Sequence, residues 1–340
     1  MARWLLFSLL LIIVAGAVSA EEAAQPIPVI IDTDFAADDW MAILFLLNNP
    51  DVAVQAITLT GAGEAHCDPG VQNALNLIAM AGHPDIPVAC GRETPIEGQN
   101  TFPGEWRAAV DAMLGIPLEA SEAAPYDGDA VALLEEAITS SEQPPLVLTL
   151  GPLTNIAELF TAEPHLTQEI ADLVIMGGAV NTAGNVWLGN QMSEWNIYVD
   201  PLAADQVIRS GAPVTLVPLD ATNAVPLTRA FLRAVEADRT TPQAEFVYQV
   251  LKAQEGFISS GGYYFWDPLA AATAIVPELA ITDEMPVRVI TDDPDASGQT
   301  VSDEHGSTIH VAVSVDAAQF ERIFRNILNG RAADAELPGS

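Results

Sequence analysis

The chain has 340 residues, of which 50% are hydrophobic, enough for one large buried core. Its formal net charge is −34, with only 12 basic residues. A surface this negative excludes nucleic acid, which is held through basic contacts, as a partner.

Arg3, an apolar run over residues 5–18 and the small-x-small ending Val18-Ser19-Ala20 read as a signal peptide over residues 1–20, cleaved before Glu21. The run is shorter than the roughly 20 residues of a membrane span. The mature chain is therefore expected to be exported, periplasmic or extracellular, with no stable membrane association. Beyond it, apolar runs of strand length alternate with helical patterns. Residues 28–31, 52–59, 86–90, 146–150, 173–176 and 214–219 read as strands, and 40–47, 71–81, 130–138, 202–208 and 244–258 as helices. This rhythm predicts an α/β fold: a Rossmann-like mixed, mostly parallel sheet with helices on both faces. Residues 287–290 and 308–313 are expected as edge strands and 317–328 as a closing helix. Residues 21–330 then make one domain, followed by a frayed tail over 331–340. Cys67 and Cys90 could pair after export or stay as buried thiols; free thiols are the expectation.

In such folds ligands bind beyond the carboxyl ends of the strands. There the segment Ile31-Asp32-Thr33-Asp34-Phe35-Ala36-Ala37-Asp38-Asp39 places four carboxylates just past the first strand. One or two acids are explained by capping a helix N-terminus. Four so close repel one another unless a cation sits among them, and a hard divalent ion with oxygen ligands is the natural one.

Asp32-Thr33-Asp34-x-x-x-Asp38-Asp39 resembles the signature of the nucleoside hydrolases. Further segments agree in order: Gly151-Pro152-Leu153-Thr154-Asn155, Val174-Ile175-Met176-Gly177-Gly178-Ala179, Gly184-Asn185-Val186, Glu194-Trp195-Asn196-Ile197-Tyr198 and Tyr263-Tyr264-Phe265-Trp266-Asp267. Phe102-Pro103-Gly104-Glu105-Trp106-Arg107 and Leu219-Asp220-x-Thr222-Asn223 resemble the purine-preferring branch.

The resemblance implies hydrolysis of ribonucleosides to ribose and free base, with Ca²⁺ held by Asp34, Asp39, the backbone carbonyl of Leu150, and Asp267. It implies Asp34 as general base, taking the proton of the attacking water. Asp38 would accept the ribose 2′-hydroxyl, Asn185, Glu194 and Asn196 would hold the 3′- and 5′-hydroxyls, and Met176 would pack on the 5′ side. Trp106 and Trp266 would sandwich the purine, with Trp106 next to a mobile lid over residues 91–104. Stacking between electron-rich faces favours a protonated base that leaves neutral. Glu64 stands at a ribose-side position where relatives carry Asn or Asp, and Ala36 lacks the amide that the purine branch carries there. No histidine precedes Asp267; His66, the one histidine near a strand end, is expected in a solvated loop. A homodimer is the expected assembly. The alternatives are a pyrimidine-preferring or unselective hydrolase, an exported nucleoside-binding protein without turnover, and a calcium-binding adhesion module.

Overall fold

The computed structural model describes residues 25–187 and 192–337. The expected leader lies outside the described residues. Among those described, no helix is long and apolar enough to cross a membrane.

Nine strands form one sheet: β1 (Ile27–Thr33), β2 (Val52–Leu59), β3 (Val88–Cys90), β4 (Leu146–Thr149), β5 (Asp172–Met176), β6 (Val214–Val217), β7 (Ala280–Val289), β8 (Thr300–Ser302) and β9 (Ser307–Val315). Their order is β3-β2-β1-β4-β5-β6-β9-β7-β8. Every pair from β3 to β9 is parallel, and β7 runs antiparallel to both β9 and β8. The mostly parallel sheet read from the sequence is therefore present. Two apolar layers cover it, one built around the helix Ala37–Leu47 and the other around Ala130–Ser140, Thr154–Ala162 and Pro201–Ile208. Near-continuous apolar strands such as β1 are what a sheet buried on both faces requires.

The chain reverses its direction of travel at β1. It runs outward to β2 and β3, then returns to place β4 on the other side of β1. The carboxyl ends of β1 and β4 thus flank the switch point where open α/β sheets bind ligands. The Leu150 amide donates to the Asp32 carbonyl at 2.8 Å, fixing the loop after β4 beside the loop after β1.

Four expectations are corrected. First, neither expected edge strand lies at an edge: residues 308–313 belong to β9, between β6 and β7, and residues 287–289 to β7, between β9 and β8; the edges are β3 and β8. A strand's neighbours depend on which element packs beside it, and its own pattern carries no record of that. Second, the helical stretch 244–258 breaks at Gln254 into Pro242–Ala253 and Glu255–Ser260. Third, Cys67 and Cys90 form a disulfide with Cα atoms 5.6 Å apart. The helix Cys67–Met80 is the crossover between β2 and β3, so its first residue and the last residue of β3 meet at the same end of the sheet. Fourth, the tail is docked as far as it is described. Arg331 donates twice to the Asp238 carboxylate at 2.9 and 2.7 Å, and the Asn326 amide donates to the carbonyls of Ala333 and Ala335.

Candidate active site

Asp34 follows β1 directly. Phe35 adopts a left-handed backbone (φ 60°), so the chain turns sharply and the helix Ala37–Leu47 starts at once. Asp38 and Asp39 occupy its first turn, where the helix dipole favours negative charge. Asp39 accepts the Ala36 amide at 3.0 Å and the Thr33 hydroxyl. Asp34 is wedged between two glycines: a Cβ on Gly63 would lie 2.0 Å from its Cβ, and one on Gly151 2.7 Å. The Glu64 amide donates to Asp34 Oδ2 at 3.2 Å. Asp267 comes from far along the chain, as the second residue of the helix Trp266–Ile275. One carboxylate oxygen from each of Asp38, Asp39 and Asp267 falls within 4.8 Å of the others. The sequence-derived set named Asp34, Asp39 and Asp267; the converging oxygens are those of Asp38, Asp39 and Asp267, while Asp34 lines the same cavity and its charge acts on Asp267.

Asp32, the fourth acid of the motif, has a different place. It is buried within β1, where its Oδ1 accepts from the Thr58 hydroxyl at 2.6 Å and the Asn155 amide at 2.7 Å. It does not line the cavity. Asn155 also donates to the Leu59 carbonyl at 3.0 Å, so the Gly-Pro-Leu-Thr-Asn segment braces β1 against β2.

Burial drives the electrostatics of the cluster. It pushes Asp38 up to about 6 and, with the charge of Asp38, Asp39 up to about 7. Asp34 and Asp267 are held well above the usual carboxylate range by burial and then by neighbouring carboxylates. The charges acting most strongly on these two are negative. Among the described residues the cavity is lined by no histidine or cysteine, and its clustered donors are carboxylates. That donor set fits a hard, oxygen-liganded cation and not zinc.

A cavity of about 570 Å³ opens from this cluster, within the range of small-molecule sites. Asp34, Asp38, Asp39, Glu64, Leu150, Met176, Asn185, Glu194, Asn196 and Asp267 all line it, as do Trp106 and Trp266; the fold therefore brings every sequence-derived site residue together. Glu194 caps the short helix Trp195–Val199, and its carboxylate accepts the amides of Asn196, Ile197 and Gly178 at 3.0, 3.3 and 3.0 Å. The Asn196 side chain donates to the carbonyls of Met176 and Leu150 at 3.2 and 3.4 Å, joining the ends of β5 and β4. Asn185 accepts the Trp195 amide at 3.1 Å. Glu64 is raised well above the usual range by burial and by Asp34 and Asp38, with Arg107 opposing. The Arg107 guanidinium ties the loop that carries Glu64 by donating to the carbonyls of Gly61 and Glu64 at 2.9 and 3.2 Å. Ala36 also lines the cavity.

Much of the remaining lining is aromatic. Phe102 stacks on Trp195 at 5.2 Å, and Trp106 meets Trp195 edge-on at 5.5 Å. A second group, Phe257, Tyr263, Tyr264 and Trp266, packs at 5.1 to 6.4 Å. The Tyr263 hydroxyl and Trp266 Nε1 are buried with no hydrogen-bond partner among the described residues. Sequence reasoning assigned no role to Phe102, Trp187, Trp195, Phe257 or Tyr263, although Phe102, Trp195 and Tyr263 fall within the motif segments quoted above.

One further expectation changes. The stretch 91–104 is anchored at the Ile96 amide to Asp200 (2.7 Å), at the Asn100 side chain to the Tyr198 carbonyl (2.7 Å) and at Phe102, so nothing in its bonding marks a lid. His66 sits in the loop before the helix Cys67–Met80 with its side chain 45% exposed, as expected, and its Nδ1 lies 2.7 Å from Asp111 Oδ2, outside the cavity lining.

The family model for the inosine-uridine preferring nucleoside hydrolases matches residues 29–322. This chain belongs to that family. A pyrimidine-specific ribonucleoside hydrolase, RihA of Salmonella schwarzengrund, is 34% identical to this chain over 302 residues, covering 85% of this chain and 94% of its own. Among solved structures, a plant nucleoside hydrolase, PpNRh1, superposes with a TM-score of 0.81 at 28% identity, covering 89% of this chain and 99% of its own. A purine-preferring ribonucleoside hydrolase from Gardnerella vaginalis superposes at 0.79 with 29% identity, covering 89% and 98%. Relatives of this nucleoside hydrolase thus differ in the base they are named for, and the choice of base rests on its own site.

Proposed function

We propose that this chain is a calcium-dependent, purine-preferring ribonucleoside hydrolase acting outside the cytoplasm. The observation that carries the reading is one cavity lined both by the acids Asp34, Asp38, Asp39 and Asp267 and by the indoles Trp106 and Trp266.

Asp34, Asp39, Asp267 and the Leu150 carbonyl would hold Ca²⁺, with Asp38 beside them. When bound, the ion supplies the positive charge that lets these buried carboxylates ionise and makes a nearby water more acidic. Asp34 takes the proton of the water attacking C1′. Asp38 accepts a hydrogen bond from the 2′-hydroxyl, while Asn185, Glu194 and Asn196 orient the 3′- and 5′-hydroxyls and Met176 packs against the 5′ side. The C–O bond forms as the C1′–N9 bond breaks through an oxocarbenium-like state. The bonding electrons go to the base, which takes a proton at N7 from solvent water and leaves neutral, while Asp34 later gives the attacking water's proton back to solvent. Trp106 and Trp266 favour that protonated ring by stacking. Glu64 lies on the ribose side, where its longer side chain replaces a shorter amide or acid.

Release of reducing sugar from inosine and from uridine, with and without a calcium chelator, tests this reading. Inosine turnover that stops on chelation and returns with Ca²⁺, with uridine nearly inert, supports it. Equal rates remove the purine preference and leave hydrolysis standing. The 34% identity to a pyrimidine-specific relative favours a second reading, in which uridine is the better substrate. Nucleoside binding without turnover would make the protein a carrier. Export is supported by the signal-like leader and by the Cys67–Cys90 bond, since disulfides persist in oxidising compartments; fractionation of the producing cells checks it. Light scattering of the purified chain checks the expected homodimer.

A further inference from the structure

Large apolar side chains are exposed at four places among the described residues: Trp187 (53%), Met192 (49%), Phe257 (42%) and Ile281 (64%). Trp187 and Phe257 both line the active-site cavity. Phe257 is already stacked on Tyr263 at 5.1 Å and 20°. Among the described residues, the ring contacts of Trp187 are edge-on, at 6.2 Å and 61° to Trp106 and at 6.3 Å and 73° to Trp195. Its broad ring surface is thus half open to water at the rim of a site that binds an aromatic base. Apolar surface left in water at a concave site is a usual mark of ligand contact.

The planes of Trp106 and Trp187 form a corner. The acids, Trp106 and Trp187 line one cavity, so a nucleoside held at the acids by its ribose has these indoles as walls for its base. A base stacked on Trp106 presents its far edge to Trp187. A two-ring base reaches that corner, and a one-ring base is shorter by the width of a ring.

We infer that Trp187 is a specificity-determining wall of the base site, closing the corner beside Trp106 and selecting two-ring over one-ring nucleosides. This rests on the purine-preferring reading above and names a residue outside the Trp106–Trp266 pair. The indole is covered by the base in the complex and contributes to holding it, without touching the acids that do the chemistry.

Kinetics of the calcium-loaded mature chain test the assignment, using the KM and kcat for inosine and the inhibition constant of uridine as a competitor. Trp187→Ala raises the inosine KM about five- to tenfold, the lower end of what base stacking supplies for a half-exposed ring. The inosine kcat stays within about twofold and the uridine constant does not move. Trp187→Phe restores most of the loss, which a merely structural defect in the loop would not show. Because the side chain is exposed, the melting temperature of both variants stays that of the parent. An unchanged inosine KM in Trp187→Ala overturns the assignment, as does an equal loss for uridine. If the parent itself fails to prefer inosine, the purine-preferring reading falls first; if the parent prefers inosine and only Trp106→Ala weakens it, that reading stands and Trp187 alone is refuted.

Discussion

Replacing Gly63 with alanine puts a methyl group into Asp34. The new Cβ would lie 2.0 Å from Asp34 Cβ, 2.6 Å from Oδ2 and 2.8 Å from Cγ. Ordinary contact begins at 3.4 Å, so the pair must separate by 3.4 − 2.0 = 1.4 Å. The Gly151 backbone also approaches Asp34 closely, a Cβ there lying 2.7 Å from it, so Asp34 has little room to yield. The strain costs about 1–3 kcal/mol, typical of an overpacked interior. The effect on rate is larger: moving a catalytic group by about 1 Å costs on the order of 100-fold. Gly63→Ala is therefore expected to lower kcat for the best nucleoside by about 100-fold or more while the protein still melts cooperatively. Gly256→Ala is the control. It lies in the helix Glu255–Ser260 with no atom within 4 Å of the added Cβ, so activity is kept and stability rises by up to about 1 kcal/mol. A Gly63→Ala protein with kcat within about threefold of the parent would refute the placement of Asp34 against the 60–66 loop.

The cation and the acids are linked through pH. In chelator, Asp38 and Asp39 keep folded-state values of about 6 and about 7 against 3.8 unfolded, so their stabilising contribution is complete below about 4 and is lost as pH rises through 6 to 7. For Asp39 alone, (7 − 3.8) × 1.36 comes to about 4 kcal/mol. The melting temperature in chelator should thus fall from pH 5 to pH 8 and be rescued by Ca²⁺; a flat profile in chelator contradicts the buried cluster. Removing the disulfide as Cys67→Ser/Cys90→Ser opens a loop with a sequence separation of 23 and should cost about 3 kcal/mol in urea unfolding. No change in midpoint would mean that the crossover helix holds β3 without it. Arg331→Ala leaves Asp238, which is 8% exposed, with Arg325 as its one remaining basic partner. A loss of about 1–3 kcal/mol is expected at pH 7, and the difference should shrink as pH falls through the lowered Asp238 value. A tail that only frays would show no loss.

Much of the site was legible because its parts are local. Asp34, Asp38 and Asp39 fall within six residues, and a strand end followed by a helix start forces them into one small volume. Trp266 and Asp267 are neighbours at another helix start. The parallel sheet was legible for the same reason, since apolar runs with a period of two or with none, separated by helical periods, leave few other packings. Which elements then sit side by side is a different matter. Asp32 shares the motif of Asp34 yet serves as a strut to Thr58 and Asn155, and only the packing of β1 between β2 and β4 separates those roles. The insertion of β9 inside the sheet, the meeting of Cys67 with Cys90, the docking of Arg331 on Asp238 and the corner of Trp106 with Trp187 are all contacts between residues far apart in the chain. A local pattern records which face of an element is apolar. The neighbour that covers that face is chosen by the packing of the whole chain, and so the sequence by itself determined the element types and the acidic motif, while the tertiary structure decided what each of them touches.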